Sequence, residues 1–125
     1  MLSSLAQLMS SSLELARGLL GRLVTVKVDR PIGSRHPRHG FLYLVNYGYV
    51  PGVIAPDGEE LDAYLLRVDQ PVECAEGVVV AVIHRLDDDD DKLVVVPEGV
   101  ALDDAEIVAA VAFQEQFFAS ELVRS

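Results

Sequence analysis

The chain has 125 residues, half of them apolar and about a quarter charged, which suits one domain with a real core and excludes a disordered protein. Its formal net charge of −10 excludes a general nucleic-acid binder, because phosphate backbones need a basic footprint. The single cysteine, Cys74, excludes an intrachain disulfide and a cysteine-based zinc site, and no apolar stretch reaches the roughly 18 residues of a membrane span.

Leu2, Leu5, Met9, Ala16, Leu19 and Leu20 fall close to one helical face, which predicts an amphipathic helix over Leu2 to Leu20, within residues 1–21. Gly18 or Gly21 would end it. Glu14 and Arg17 interrupt the apolar run and no positive start precedes it, so it does not read as a secretion signal. A cytoplasmic protein with no membrane partner is expected, its first helix packing on the domain or on a neighbouring subunit. Strand candidates follow at Leu23 to Val28, Phe41 to Val45, Leu61 to Val68, Val78 to Leu86 and Leu93 to Val96. Pro, Gly and Asp punctuate them, as at Pro31-Ile32-Gly33, Pro51-Gly52 and Pro97-Glu98-Gly99. Short strands at this spacing predict a small closed or partly open barrel over residues 23–97. A second helix is expected over 103–123, with Asp103 and Glu106 as a capping box and Ile107, Val108, Val111 and Phe118 as its apolar stripe. The expectation is one domain, 1–125, mainly β within an α+β class, with a helix at each end.

Four groups of residues carry chemistry. In Asp57-Gly58-Glu59-Glu60-Leu61-Asp62 the glycine allows a sharp turn that lets Asp57 and Glu59 face one point. Asp62 then enters the next strand on the face opposite Leu61 and Ala63. Carboxylates so close can share hard cations such as Mg²⁺; the plainer reading is an Asp-Gly hairpin turn. The second group is the run Asp87 to Asp91, closed by Lys92, whose like charges repel unless solvent or cations screen them. Its plainer reading is a solvated loop that keeps a sheet edge soluble. Lys27, Arg30, Arg35 and Arg38, with His36 and His39 among them, form a basic group suited to phosphate oxygens, or else a loop that balances acidic neighbours. The two histidines receive no role, and His84, in an apolar strand, reads as a hydrogen-bonded core histidine. Tyr43, Tyr47 and Tyr49, grouped with Asn46, supply phenols that can donate to phosphate while their rings pack on the core. Taken together, acidic cassettes, a basic loop and phenols make a metal–phosphate site.

Three of these stretches carry a resemblance. Asn46-Tyr47-Gly48-Tyr49-Val50-Pro51, then Asp57-Gly58-Glu59-Glu60-Leu61-Asp62-Ala63, then the aspartate run leading to Lys92-Leu93-Val94-Val95-Val96-Pro97, resemble in order and rough spacing the soluble family I inorganic pyrophosphatases. The resemblance covers roughly Leu23 to Pro97. It implies an OB-like five-stranded β-barrel with flanking helices, hydrolysis of pyrophosphate to two phosphates with several Mg²⁺ ions, and a homo-oligomer. By position it implies metal ligands at Asp57 and Asp62 and, later, at Asp87 (or Asp88) and Asp90. Glu59 sits where the family usually has an aspartate that orients or deprotonates the attacking water. Lys92 matches a substrate-contacting lysine, Tyr47 and Tyr43 match phenols near the phosphates, and Arg35 matches a phosphate-binding arginine.

The sequence also departs from the family. Glu59 is one methylene longer than the usual aspartate, and a displacement of ~1 Å can cost ~100-fold in rate. The chain is shorter before the tyrosines, so either Thr25 and Lys27 occupy the family's Lys-x-Glu strand, or that strand is missing and Asp29 matches an earlier glutamate. Phe117 and Phe118 stand where the family has Tyr-Lys contacts to phosphate. These departures leave two alternatives open: hydrolysis of another phosphoanhydride, such as a nucleotide or short polyphosphate, and a non-catalytic relative that binds metal or phosphate.

Overall fold

The computed structural model describes residues 12–87 and 90–124. Helix α1 is described over residues 12–17 and gives way to a turn over 18–21. Strands β1 (Leu23–Arg30), β2 (Asn46–Ile54), β3 (Glu60–Leu65), β4 (Cys74–Arg85) and β5 (Lys92–Val96) follow, then helix α2 (Asp104–Glu115) and strand β6 (Ser120–Val123). The sheet runs β1-β2-β3-β5-β4-β6, and β1 also pairs with β4, so the first five strands close into a barrel and β6 hangs on the free edge of β4. Only the β3–β5 pairing is parallel. This is the five-stranded OB-like barrel with helices that the sequence predicts.

Alternation along the strands sorts the core into two layers. Val26, Val50, Leu61, Ala63, Leu65, Val79, Val82, Leu93 and Val95 come from all five barrel strands and fill its interior, with Ala16 of α1 packed against them. Tyr64, Leu66, Ala81, Ile83, Val94 and Val96 point the other way and meet Ile107 and Val111 of α2. Strand β5 is buried on both faces, which is why it reads as a continuous apolar run after its first residue. At Gly48 the backbones of β1 and β2 leave no room for a side chain. A Cβ there would lie 1.8 Å from the Lys27 carbonyl oxygen, inside backbone that cannot swing aside. Gly48→Ala is therefore expected to destabilise the fold by about 1–3 kcal/mol, read as a lower denaturant midpoint in equilibrium unfolding.

The N-terminus of α2 carries the capping box: the Asp103 carboxylate accepts from Glu106 N at 2.8 Å, and the Glu106 carboxylate accepts from Asp103 N at 3.1 Å. The helix stops at Glu115, well short of 123, because residues 120–123 find backbone partners along β4, from Val82↔Val123 to Arg85↔Ser120. Val108 is exposed and Phe118 lies beyond the helix, so the buried stripe is Ile107 and Val111, continued by Gln114 and Glu115. Phe41 to Val45 does not form a strand of the sheet. Its backbone bonds return to the preceding loop (Tyr43 N to Ser34 O, His36 N to Phe41 O), leaving an isolated bridge between Arg35 and Leu42. Of the helix expected over Leu2 to Leu20, residues 1–11 lie outside the described residues.

Candidate active site

The face of β3 that turns away from the barrel interior carries the chemistry. Leu61, Ala63 and Leu65 point inward, so Asp62 and Tyr64 emerge outside. Antiparallel pairing with β2 sets Tyr49 opposite Asp62 and Tyr47 opposite Tyr64. Parallel pairing with β5 sets Lys92 beside Asp62. The buried Lys92 ammonium lies 2.6 Å from Asp62 Oδ2 and 2.8 Å from Asp90 Oδ2, so it fills the space between the two carboxylates. Its Nζ stands 5.7 Å from the Tyr47 ring centroid. Burial, and then the negative charges of Asp62 and Asp90, hold the Tyr47 hydroxyl well above its ordinary pKa. That phenol is a proton donor throughout the neutral range.

Asp57, Glu59, Asp62 and Asp90 line one cavity of about 490 Å³, joined there by Asp29 and Asp91. Gly58, with φ 87°, makes the turn that brings Asp57 and Glu59 together, and Asp57 Oδ1 accepts from Glu59 N at 2.9 Å. Asp91 is almost wholly buried. Its Oδ1 lies 2.7 Å from His84 Nδ1 and accepts from Arg85 N at 3.2 Å, whereas its Oδ2 has no hydrogen-bond partner among the described residues. These donors are all carboxylate oxygens, the ligands that hard divalent cations take, and the partnerless Oδ2 is a buried acceptor that a cation would satisfy. Asp57, Glu59, Asp62 and Asp90 thus fit Mg²⁺ in kind. Among the described residues no three carboxylate, imidazole or thiol groups converge closely enough to hold an ion by themselves.

A second cavity adjoins the first through Asp90 and is lined by Tyr43, Tyr47, Arg85 and Lys92. Behind it runs a buried polar chain. The Tyr43 hydroxyl donates to Gln114 Oε1 at 2.9 Å, Gln114 Nε2 donates to the Tyr64 hydroxyl at 2.7 Å, and that hydroxyl donates to Glu115. Arg85 closes the chain with a two-pronged bond to Glu115, Nε to Oε1 at 3.2 Å and Nη2 to Oε2 at 2.9 Å, and its Nη1 lies 3.5 Å from Asp90 Oδ2. Burial works against the Arg85 charge, yet the hydrogen bonds and charge of Glu115, with that of Asp90, more than offset it and raise its pKa.

Three residues expected at the site line neither cavity. Lys27 projects to solvent from β1, opposite Tyr49 in register. Arg35 turns back on its own loop, where Nη1 donates to Gly40 O at 2.7 Å. Asp87 Oδ2 accepts from Ala119 N at 3.3 Å and so fastens the segment after α2. Asp88 and Asp89 fall outside the described residues. Strand β1 is present, and Asp29, at a bulge between Val28 and Arg30, is its residue that reaches the acidic cavity. Asn46 is a structural pin: its side chain accepts from Ile32 N and donates to Val68 O and Gln70 O. Arg85 and the Gln114–Glu115 pair escaped the sequence reading, and Asp91 was read only as one of the aspartate run; a charged residue two positions after Ile83 on the α2-facing side of a buried strand was the available signal for Arg85.

A sequence model described as inorganic pyrophosphatase matches residues 22–119. Solved structures agree in fold. An inorganic pyrophosphatase from Ehrlichia chaffeensis superposes with a TM-score of 0.65 at 16% identity, covering 82% of this chain and 85% of its own. One from Helicobacter pylori gives 0.60 at 16% identity, with 86% of each chain covered. One from Neisseria gonorrhoeae gives 0.57 at 25% identity, covering 74% of this chain and 72% of its own. No curated protein sequence matches the chain.

Proposed function

Because the chain belongs to the inorganic pyrophosphatase family, we propose that it hydrolyses pyrophosphate to two phosphates, with Mg²⁺ ions held by Asp57, Glu59, Asp62 and Asp90. The observation that carries this reading is that those four carboxylates line one cavity, beside a second that presents Lys92 and Tyr47. Bound Mg²⁺ would supply the positive charge that acidifies water and screens phosphate oxygens. Glu59, on a turn of exposed backbone, orients the attacking water and takes its proton. The water oxygen bonds to one phosphorus, the bridging P–O bond breaks, and the electron pair leaves on the bridging oxygen of the second phosphate. Lys92 meets that developing charge with its ammonium, and Tyr47 donates a hydrogen bond from a hydroxyl that stays protonated. Lys27, Arg35 and Asp87 take no part in this reading.

A cytoplasmic location and a homo-oligomeric state belong to the same proposal. The second is supported by Leu42, Leu44 and Ile54, which expose large apolar side chains. Among the described residues no helix is long and apolar enough to cross a membrane. The test is phosphate release from pyrophosphate with Mg²⁺, with and without excess chelator, in the wild type and in Asp57→Asn. Release that needs the metal and collapses in the variant is expected; none in the wild type would sink the reading. A thermal scan checks the cation directly. Preferential binding to the folded state stabilises it by about 2.7 kcal/mol at 100 times Kd, so the melting temperature rises with added Mg²⁺ and returns on chelation.

A further inference from the structure

The second cavity is built for more than an inorganic phosphate. It measures about 680 Å³, a size at which small-molecule sites bury an organic ligand. Its walls are mostly rings: His36, His39, Phe41, Tyr43, Tyr47 and Phe117. Phe41 stacks on Phe117 with centroids 5.7 Å apart and planes at 24°, and His39 stacks on the same ring at 6.5 Å and 25°. His36 lies 4.8 Å from both His39 and Phe41. Phe117 stays 61% exposed although Phe41 and His39 pack beside its ring. A large aromatic side chain held in water beside a ring-lined cavity has a use that core packing does not supply.

The charges in this cavity point the same way. Lys92 is already matched by Asp62 and Asp90, and Arg85 by Glu115 and Asp90. His36 Nδ1 accepts from the backbone N–H of Arg38 and of His39, and burial, followed by the nearby charges of His39, Arg30 and Arg38, lowers its pKa, so it presents a neutral ring. A further phosphate dianion, beyond the one that Lys92 and Tyr47 meet, would lose hydration among these rings and gain little. A neutral planar base would gain stacking faces. Asp90 borders both cavities, so one ligand can keep a phosphoanhydride at the carboxylates and an aromatic base among the rings.

We propose that this site also accepts nucleoside diphosphates, with the terminal phosphate at the carboxylate cavity and the base stacked against Phe117. The proposal rests on the hydrolase reading above. Water oxygen bonds to the terminal phosphorus and the bond from that phosphorus to the bridging oxygen breaks. The electron pair departs on the nucleoside monophosphate, and the proton passes to Glu59 and then to solvent. The products are a nucleoside monophosphate and inorganic phosphate.

The test compares phosphate release from ADP and from pyrophosphate under Mg²⁺ in the wild type, Phe117→Ala and Phe117→Tyr. Because Phe117 is mostly exposed, neither variant should disturb folding. The expected result is ADP hydrolysis whose kcat/KM, relative to that for pyrophosphate, falls about tenfold in Phe117→Ala and is retained in Phe117→Tyr, the scale of one lost base–aromatic stack. A second readout is AMP titrated without metal: its adenine protons should shift upfield against the wild type and less against Phe117→Ala. Pyrophosphate turnover without ADP turnover, or a ratio that Phe117→Ala leaves unmoved, overturns the nucleotide proposal and leaves pyrophosphate hydrolysis standing. Turnover of neither substrate overturns both.

Discussion

Asp62→Asn is expected to lower kcat/KM for pyrophosphate by at least about 100-fold, the scale on which one directed electrostatic contact acts in a closed site. Asp62 is where the two halves of the site meet. It lines the carboxylate cavity and, at 2.6 Å, holds the Lys92 ammonium. Asparagine keeps the shape and still offers Lys92 an acceptor oxygen, so the fold should lose little; Asp90 remains as a charged partner at 2.8 Å. What disappears is one negative charge among the carboxylates proposed to hold the cation. The Mg²⁺ concentration needed for half-maximal turnover should therefore rise, and raising Mg²⁺ should recover part of the rate. Steady-state kinetics across a Mg²⁺ series check this, and a change of less than threefold would remove Asp62 from the site.

Glu115→Gln carries the largest expected loss of stability. The Arg85 guanidinium is only 5% exposed and is gripped on two prongs by Glu115, itself 7% exposed. Removing one partner of such a pair leaves a buried charge short of its counterion, which costs roughly 3–5 kcal/mol. Glutamine still accepts one bond but cannot match the charge, and Asp90, 3.5 Å from Nη1 and shared with Lys92, stays as a weaker counter-charge than the two-pronged bond. The Tyr64 hydroxyl also loses its strongest acceptor. For a chain of this size a loss of about 3 kcal/mol lowers the melting temperature by roughly 10 °C. Pairing Glu115→Gln with Arg85→Met should recover much of the loss, because no buried charge then remains unmatched. A double variant less stable than the sum of the two singles would contradict this account.

The barrel was legible because its alternation is local. Leu61, Ala63 and Leu65 announce one face of β3, and Asp62 and Tyr64 the other, from neighbouring letters alone. The Asp57–Asp62 turn was legible for the same reason. Distant partners were not. Nothing near Arg85 announces Glu115, thirty positions away, and β6 exists only because β4 has a free edge to offer. A helix-like reading of 116–123 was natural without that edge. The place of Arg35 was not legible because it has a backbone carbonyl, that of Gly40, within its own reach. Within a run of five aspartates the composition is uniform, so only position relative to Lys92 separates Asp90, which meets the same ammonium, from Asp87, which fastens Ala119.

The seam between β1 and β4 also sets the order in which this molecule can assemble. β1 comes early in the chain, yet its Leu23 pairs with Val78 and its Lys27 with Cys74, residues synthesised much later. No short hairpin can stand in for that pairing, and the entropy of closing so long a loop must be met before the contacts reward it. Barrel closure is thus expected to come late and to set the rate, with β2 and β3 able to pair first as neighbours. The Asp57 and Glu59 carboxylates of the β2–β3 turn face Asp90 only once β5 has paired with β3, and their mutual repulsion falls on that step of folding, where a cation can relieve it. Refolding should accordingly run faster in Mg²⁺, read as a raised folding rate in stopped-flow refolding.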